Sequence, residues 1–373
     1  MATSKRGTSV VLWLVLLALV LVSIVPAEAV NKQPYIRRFN TLKTVVSTVP
    51  TNGDINPYGV ALVMRSFGNL VRNNVLVSNF NNSGNLQGTG TTIVQITPTG
   101  QRYLFAQLNP ADLAISPQAV GLTTALVALR TGWVIVGSLP TTDGTSATMT
   151  AGNIFVLNSL GEVKLILSGD PINGPWDACV FEDDSGVTHL FVSCVLNGTV
   201  AASPNIVNQG TIIRIDLNTP MDTGTNAPTE ISRTVIVNGL SEKTDPAALV
   251  VGPTGLAVGP GNRLYIADTV NNRILSVGAA TTRTTVGVPA VIFSGAPLNG
   301  PLGLIMTPTQ DILVTNGGDG NMVELGRSGR PQTVKVINLN GAGTLFGLAN
   351  FLPGNKGVYF VDDGVNTLRL LTR

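Results

Sequence analysis

Short apolar runs recur along the chain, each ending in a small or polar residue: Val75-Leu-Val-Ser-Asn79, Val134-Ile-Val-Gly-Ser138, Leu190-Phe-Val-Ser-Cys194, Leu264-Tyr-Ile-Ala-Asp268, Ile312-Leu-Val-Thr-Asn316 and Val358-Tyr-Phe-Val-Asp362. Short length, β-branched and aromatic content and Gly or Asn boundaries predict strands, not helices. An anchor precedes each run: Pro57-Tyr-Gly59-Val, Val120-Gly121-Leu-Thr, Pro175-Trp-Asp177-Ala, Pro253-Thr-Gly255-Leu, Pro301-Leu-Gly303-Leu and Leu345-Phe-Gly347-Leu. A third strand follows in every unit, for example Thr211-Ile-Ile-Arg-Ile and Arg273-Ile-Leu-Ser-Val. A fourth follows in all but the last unit, which runs out at Arg373.

A repeat fixes architecture before any single residue does. Six four-stranded antiparallel units predict an all-β, six-bladed β-propeller, a ring that protects most strand edges from unwanted pairing. The missing fourth strand of the last unit is expected from the segment Asn40–Thr48, which would close the ring. Unequal unit lengths imply insertions at Pro140–Ala151, Asn197–Gly210 and Asn218–Ile231, whose Thr, Asn, Gly, Pro and Ser content reads as surface loop.

The fourth unit is the sharpest. Pro253-x-Gly-Leu-Ala-Val, Leu264-Tyr-Ile-Ala-Asp268 and Asn271-Asn-Arg-Ile274 resemble an NHL repeat, with its Pro-x-Gly start, apolar strand ending in Asp and Asn-x-Arg-Ile corner. The fifth and sixth units keep the first part and replace the corner. The resemblance implies a six-bladed propeller but no chemistry, because propellers of this kind include protein-binding modules, lyases and lactonase-like hydrolases.

Composition narrows the compartment and partners. Lys5 and Arg6, an apolar run through Val25 and Ala27-Glu28-Ala29 have the order of a Sec signal peptide, with cleavage expected after Ala29. The expected product is residues 30–373 as one propeller domain, secreted or periplasmic, monomeric and without a membrane span. Lys+Arg number 23 against 21 Asp+Glu, and charged residues make up 12% of the chain. That near-neutral balance lacks the basic surplus a phosphate backbone requires, so nucleic acid is excluded as a partner.

Chemistry-bearing residues are few. His189 is the single histidine, which excludes multi-His zinc ligation and a histidine dyad. If the second strands run toward one face, their terminal residues form a ring there, and Asn79, Asp268, Asn316 and Asp362 supply oxygens suited to a hard cation such as calcium. The same residue types at strand ends also satisfy turn backbone groups. Asp177 replaces the anchor glycine of its unit and follows Trp176, placing a carboxyl beside an aromatic ring. Cys179 and Cys194 lie on adjacent predicted strands, where a disulfide and two buried free thiols are both open. Asn81-Asn-Ser83 and Asn197-Gly-Thr199 match the N-glycosylation acceptor.

Two functional expectations follow. The first is a secreted, non-enzymatic binding or scaffold module that engages a protein or surface glycan through one face or the inserted loops. The alternative is a calcium-dependent lactonase-like hydrolase using the central funnel, with Asp268, Asn316 and Asp362 near the metal.

Overall fold

Six antiparallel sheets stand around one axis. The computed structural model describes residues 1–3, 33–113, 120–222, 224, 226–338, 341–349 and 356–373. Apart from residues 1–3, the expected signal peptide lies outside the described residues. From the axis outward, the first blade comprises Ile55–Leu62, Val75–Asn81, Thr92–Ile96 and Arg102–Gln107. The second comprises Leu122–Ala128, Val134–Ser138, Asn153–Leu157 and Val163–Leu167. The third has Pro175–Glu182, Val187–Cys194, Val207–Asn218 and Thr229–Asp245; the fourth has Pro253–Gly259, Arg263–Asp268, Arg273–Gly278 and Ala290–Ser294. Pro301–Met306, Ile312–Asn316, Asn321–Leu325 and Pro331–Val336 build the fifth.

The sixth blade is Leu345–Ala349, Gly357–Asp362 and Thr367–Thr372, completed by Thr41–Ser47 from the other end of the chain. Thr41 pairs with Thr372 and Ser47 with Thr367, antiparallel, as the missing strand required. The segment before it is tied down too. Glu324 of the fifth blade accepts the Tyr35 and Ile36 backbone N–H groups at 2.7 and 2.8 Å.

Burial explains the hydrophobic pattern. Second strands such as Val75–Asn81 and Gly357–Asp362 are buried at every position because neighbouring blades cover both faces, so they read as unbroken apolar runs. Outer strands such as Pro331–Val336 are largely exposed. Between the second and third blades, Ile135, Ile154 and Val156 pack with Leu190, Val192 and Ile213. Each such side chain contributes about 1.5–3 kcal/mol relative to exposure.

The anchor glycines have a steric cause. A Cβ on Gly255 would lie 2.1 Å from the Leu302 carbonyl oxygen of the next blade, and one on Gly347 would lie 2.2 Å from the Tyr58 oxygen. The innermost strands approach one another there more closely than any side chain allows.

Hydroxyls clasp the same seams. Gly59 N–H donates to Ser78 Oγ at 3.0 Å, and Ser78 donates to the Thr123 carbonyl of the second blade at 2.8 Å. Gly303, Thr315 and Phe346 repeat the arrangement between the fifth and sixth blades. Thr124 donates to the Trp176 carbonyl, and Thr254 to that of Pro301 at 3.1 Å.

The insertions are largely exposed loop, with some regular structure at their ends. Within Asn197–Gly210, Thr199–Ala202 forms one helical turn, and the third strand already begins at Val207. The third blade exceeds four strands, because the long strand Thr229–Asp245 bends back onto a fifth, Leu249–Val251. Enough chain lies between Asn218 and the next anchor at Pro253 to form this extra hairpin.

Candidate functional site

First strands begin, and second strands end, on one face, which places Asn79, Ser138, Cys194, Asp268, Asn316 and Asp362 around it. The centre of that face is filled by aromatic rings. Tyr58 stacks on Phe346 at 4.2 Å between centroids and on Phe80 at 4.6 Å, with Trp176 edge-on at 5.7 Å. Segments that follow the second strands, and the fifth strand of the third blade, lie over these rings. Leu139, Met149, Val195, Leu196, Leu249 and Val250 join them in one buried cluster, and Ser146 Oγ donates to the Leu249 carbonyl at 2.7 Å, tying the second blade's insertion to the fifth strand of the third blade. Of the loops expected to be polar surface, Pro140–Ala151 thus contributes Met149 to an apolar lid over the axis, and the other lid residues lie just outside the expected loops.

Beneath the lid runs an axial channel of about 290 Å³, lined by the innermost strands of all six blades from Trp176, Leu302 and Phe346 down to Met64, Ala128, Val258 and Met306. Met64 is 52% exposed, so the channel reaches solvent at the end away from the lid.

Asp177 projects into the channel walls where the other blades carry glycine or a small residue. Ser193 Oγ accepts the Asp177 N–H at 3.1 Å, as in the other clasps, but the cross-seam bond is made by the Asp177 carboxyl, which accepts the Ala178 N–H at 2.8 Å and the Leu256 N–H of the fourth blade. Surrounding protein disfavours the charged form and pushes its pKa up to about 8. Asp177 is half-buried and touches the channel lumen. The Trp176 ring beside it belongs to the aromatic plug.

The ring residues serve their own blades. Asp268, fully buried, pairs with Arg273 at 2.6 Å and accepts from Asn271 at 3.1 Å. Asp362 pairs with Arg369 at 2.7 Å. Asn79 donates to the Thr48 carbonyl and Thr92 Oγ1, and Asn316 to the Pro297 carbonyl and Asp319. Among the described residues, no group of three or more His, Cys, Asp or Glu is placed to hold a metal. Oxygens Asn79 Oδ1, Asn316 Oδ1 and Asp362 Oδ1 nevertheless remain buried without a hydrogen-bond partner.

His189 sits at the far end of its strand from Cys194, with Nδ1 2.7 Å from Asp216 and Nε2 3.5 Å from Asp183. It belongs to a corner network with Arg214 and Ser232, away from the axis. Both cysteines are free. Cys179 lies opposite Phe191 while Cys194 lies opposite Pro175, so register holds their backbones about 10 Å apart, beyond the reach of a disulfide. Burial pushes the Cys194 thiol up to about 12. Asn81 is 2% exposed, which removes it as a glycan acceptor in the folded chain.

A second pocket, absent from the sequence expectations, opens where the first and last blades meet. Its volume is about 340 Å³, and its walls include Asn56, Asn81, Asn85, Gln87, Asp363 and Asn366. Burial, followed by the neighbouring Asp362 charge, pushes Asp363 up to about 7. These positions are scattered over the whole chain, and the clustered Asn residues after the second strand were their one signal.

Residues 251–275 match the family model of the NHL repeat. No curated protein matches the chain. Among solved structures, the chain is similar to a luciferin-regenerating enzyme (TM-score 0.55, 9% identity, covering 89% of this chain and 95% of that one). It is also similar to a gluconolactonase from Xanthomonas campestris (0.54, 12%, 90% and 90%). A third is regucalcin, a calcium-binding protein from Agrobacterium tumefaciens (0.53, 12%, 90% and 96%). At such identities the likeness is one of fold.

Proposed function

We propose that this six-bladed propeller, which carries an NHL repeat in its fourth blade, is an exported binding module and not a hydrolase. One observation carries the reading: the chain fills the axial funnel on the strand-end face with its own aromatic plug and lid. A hydrolase of that face needs an open funnel in which carboxylates meet substrate, whereas here Asp268 and Asp362 are neutralised by arginines of their own blades.

The exterior of the lid and its rim suits a hydroxyl-rich partner. Asn82, Asn85, Thr142, Thr145, Asn205 and Gln209 are uncharged groups able to donate and accept hydrogen bonds, and Ile206 and Leu86 offer exposed apolar area for sugar-ring faces. A surface glycan is therefore the favoured partner. The test is binding of purified protein to envelope polysaccharides and a glycan array, with Gln209→Ala and Asn205→Ala as variants. Glycan binding weakened by these changes supports the reading; turnover of a lactone panel by protein that ignores glycans defeats it.

A further inference from the structure

The pocket between the first and last blades is lined by oxygen atoms to which the protein supplies no donors. Asn81 is only 2% exposed, yet its Oδ1 has no hydrogen-bond partner among the described residues. Asn56 Oδ1 and Gln87 Oε1 are buried and unpartnered in the same way, and all three residues line this pocket. Leaving a buried acceptor unsatisfied costs about 1–3 kcal/mol, so three around one pocket call for a common partner.

Two nitrogens at the site are already used. Asn81 Nδ2 donates to Asn85 Oδ1 at 2.7 Å, which fixes the Asn81 amide with its oxygen free. The Asn56 backbone N–H donates to Asn366 Oδ1 at 2.7 Å, locking the first blade to the last. What remains is a set of buried, unpartnered acceptors beside the Asp363 carboxyl. The Asp362 Oδ1 atom, also unpartnered, would lie 3.5 Å from a Cβ placed on Gly364, another wall residue. A sugar hydroxyl donates one proton to one acceptor, whereas a cation satisfies several oxygens at once.

We propose that Asn56, Asn81, Gln87 and Asp363 bind a hard divalent cation of calcium size across the junction of the first and last blades. Amide and carboxylate oxygens are the donors such a cation takes, and calcium accepts six to eight of them in flexible geometry with water completing the shell. The pocket exceeds a bare ion in volume and so leaves room for those waters. One carboxylate among amides favours weak binding, about 10⁻⁴–10⁻³ M, the range of extracellular modules. Because the ligands come from both ends of the chain, the ion would staple the ring closure made by Thr41–Ser47 and Thr367–Thr372. The site lies off the axis, and it stands whether or not the lid face binds glycan.

The experiment is calorimetric titration of purified, chelator-treated protein with calcium chloride, alongside magnesium chloride and thermal melts. The expected result is one calcium per chain, weaker magnesium binding and a melting temperature raised by a few degrees at 10 mM calcium. Asn81→Leu and Asp363→Asn are expected to weaken calcium at least tenfold and abolish the thermal shift. Gln87→Leu, at a less buried position, carries the same test should Asn81→Leu fail to fold. Absence of both heat and thermal shift in the wild type overturns the proposal, as does binding that all folded variants leave unchanged. No glycan enters these measurements, so their failure is separate from failure of the glycan reading.

Discussion

The Tyr58 ring, from the first blade, stacks on the Phe346 ring, from the last, with centroids 4.2 Å apart and planes inclined by 18°. This contact joins the two ends of the ring at its axis and forms the floor of the lid. Phe346→Ala removes a buried aromatic that Tyr58 cannot replace, and is expected to cost about 3–5 kcal/mol. Urea unfolding at constant slope measures it; a midpoint within error of wild type would show that the plug is not a structural element.

The seam between the third and fourth blades should respond to pH. Asp177 binds its proton more tightly folded, with its pKa moved from an ordinary 3.8 to about 8, and burial raises Glu242 to about 7. The stability these groups contribute is therefore full below about pH 4 and is lost as pH rises to 7 or 8, by at most about 1.4 kcal/mol per pH unit for each group. Melting temperature should fall between pH 5 and pH 8. Asp177→Asn keeps an oxygen for the Ala178 and Leu256 N–H groups without a titrating proton, and is expected to flatten part of that slope. An unchanged profile counts against the assignment.

The corner ion pairs make an asymmetric prediction. Arg273 keeps 31% of its side chain exposed, while Asp268 has none. Arg273→Ala strands a buried carboxylate and should cost about 3–5 kcal/mol; Asp268→Ala leaves an arginine that reaches water and should cost less. Chemical denaturation of the two variants decides the order, and the reverse order would point to a role for Asp268 beyond its blade.

Gly255→Ala brings a methyl to 2.1 Å from the Leu302 carbonyl, and backbone must move to admit it. Overpacking of that kind costs about 1–3 kcal/mol or more. A neutral effect in thermal melts would contradict the close approach of the fourth and fifth blades.

Two free thiols per chain should react with a thiol reagent after denaturation without reductant, and few in the native state. Cys194 is buried and its thiolate strongly disfavoured. A melting temperature that drops on adding reductant would indicate a disulfide instead.

Much of the architecture was legible because its signals are local. The run Leu264–Asp268 and the corner at Asn271–Ile274 carry their strand and turn in a few residues, and the observed pairing of Asp268 with Arg273 stays within that corner. Ser78 and Thr315, one position before the strand-end Asn, make a hydroxyl clasp that was not legible, because the residue they grip lies in another blade. The lid was not legible. Met149 sits in a segment whose polarity reads as loop, Leu139 and Val195 directly follow strand ends, Val250 belongs to an apolar run outside the repeat, and only their convergence over Tyr58 makes them one core.

The sequence by itself determined the strand content, the six units and the closing role of Asn40–Thr48, because alternation, turn chemistry and repetition are written in contiguous residues. Tertiary structure decided what the units leave open at their centre and seams. Asn56, Asn81, Gln87 and Asp363 become one pocket because ring closure brings the first and last blades into contact. The funnel closes because apolar residues from separate blades gain more by covering one aromatic stack than by facing water.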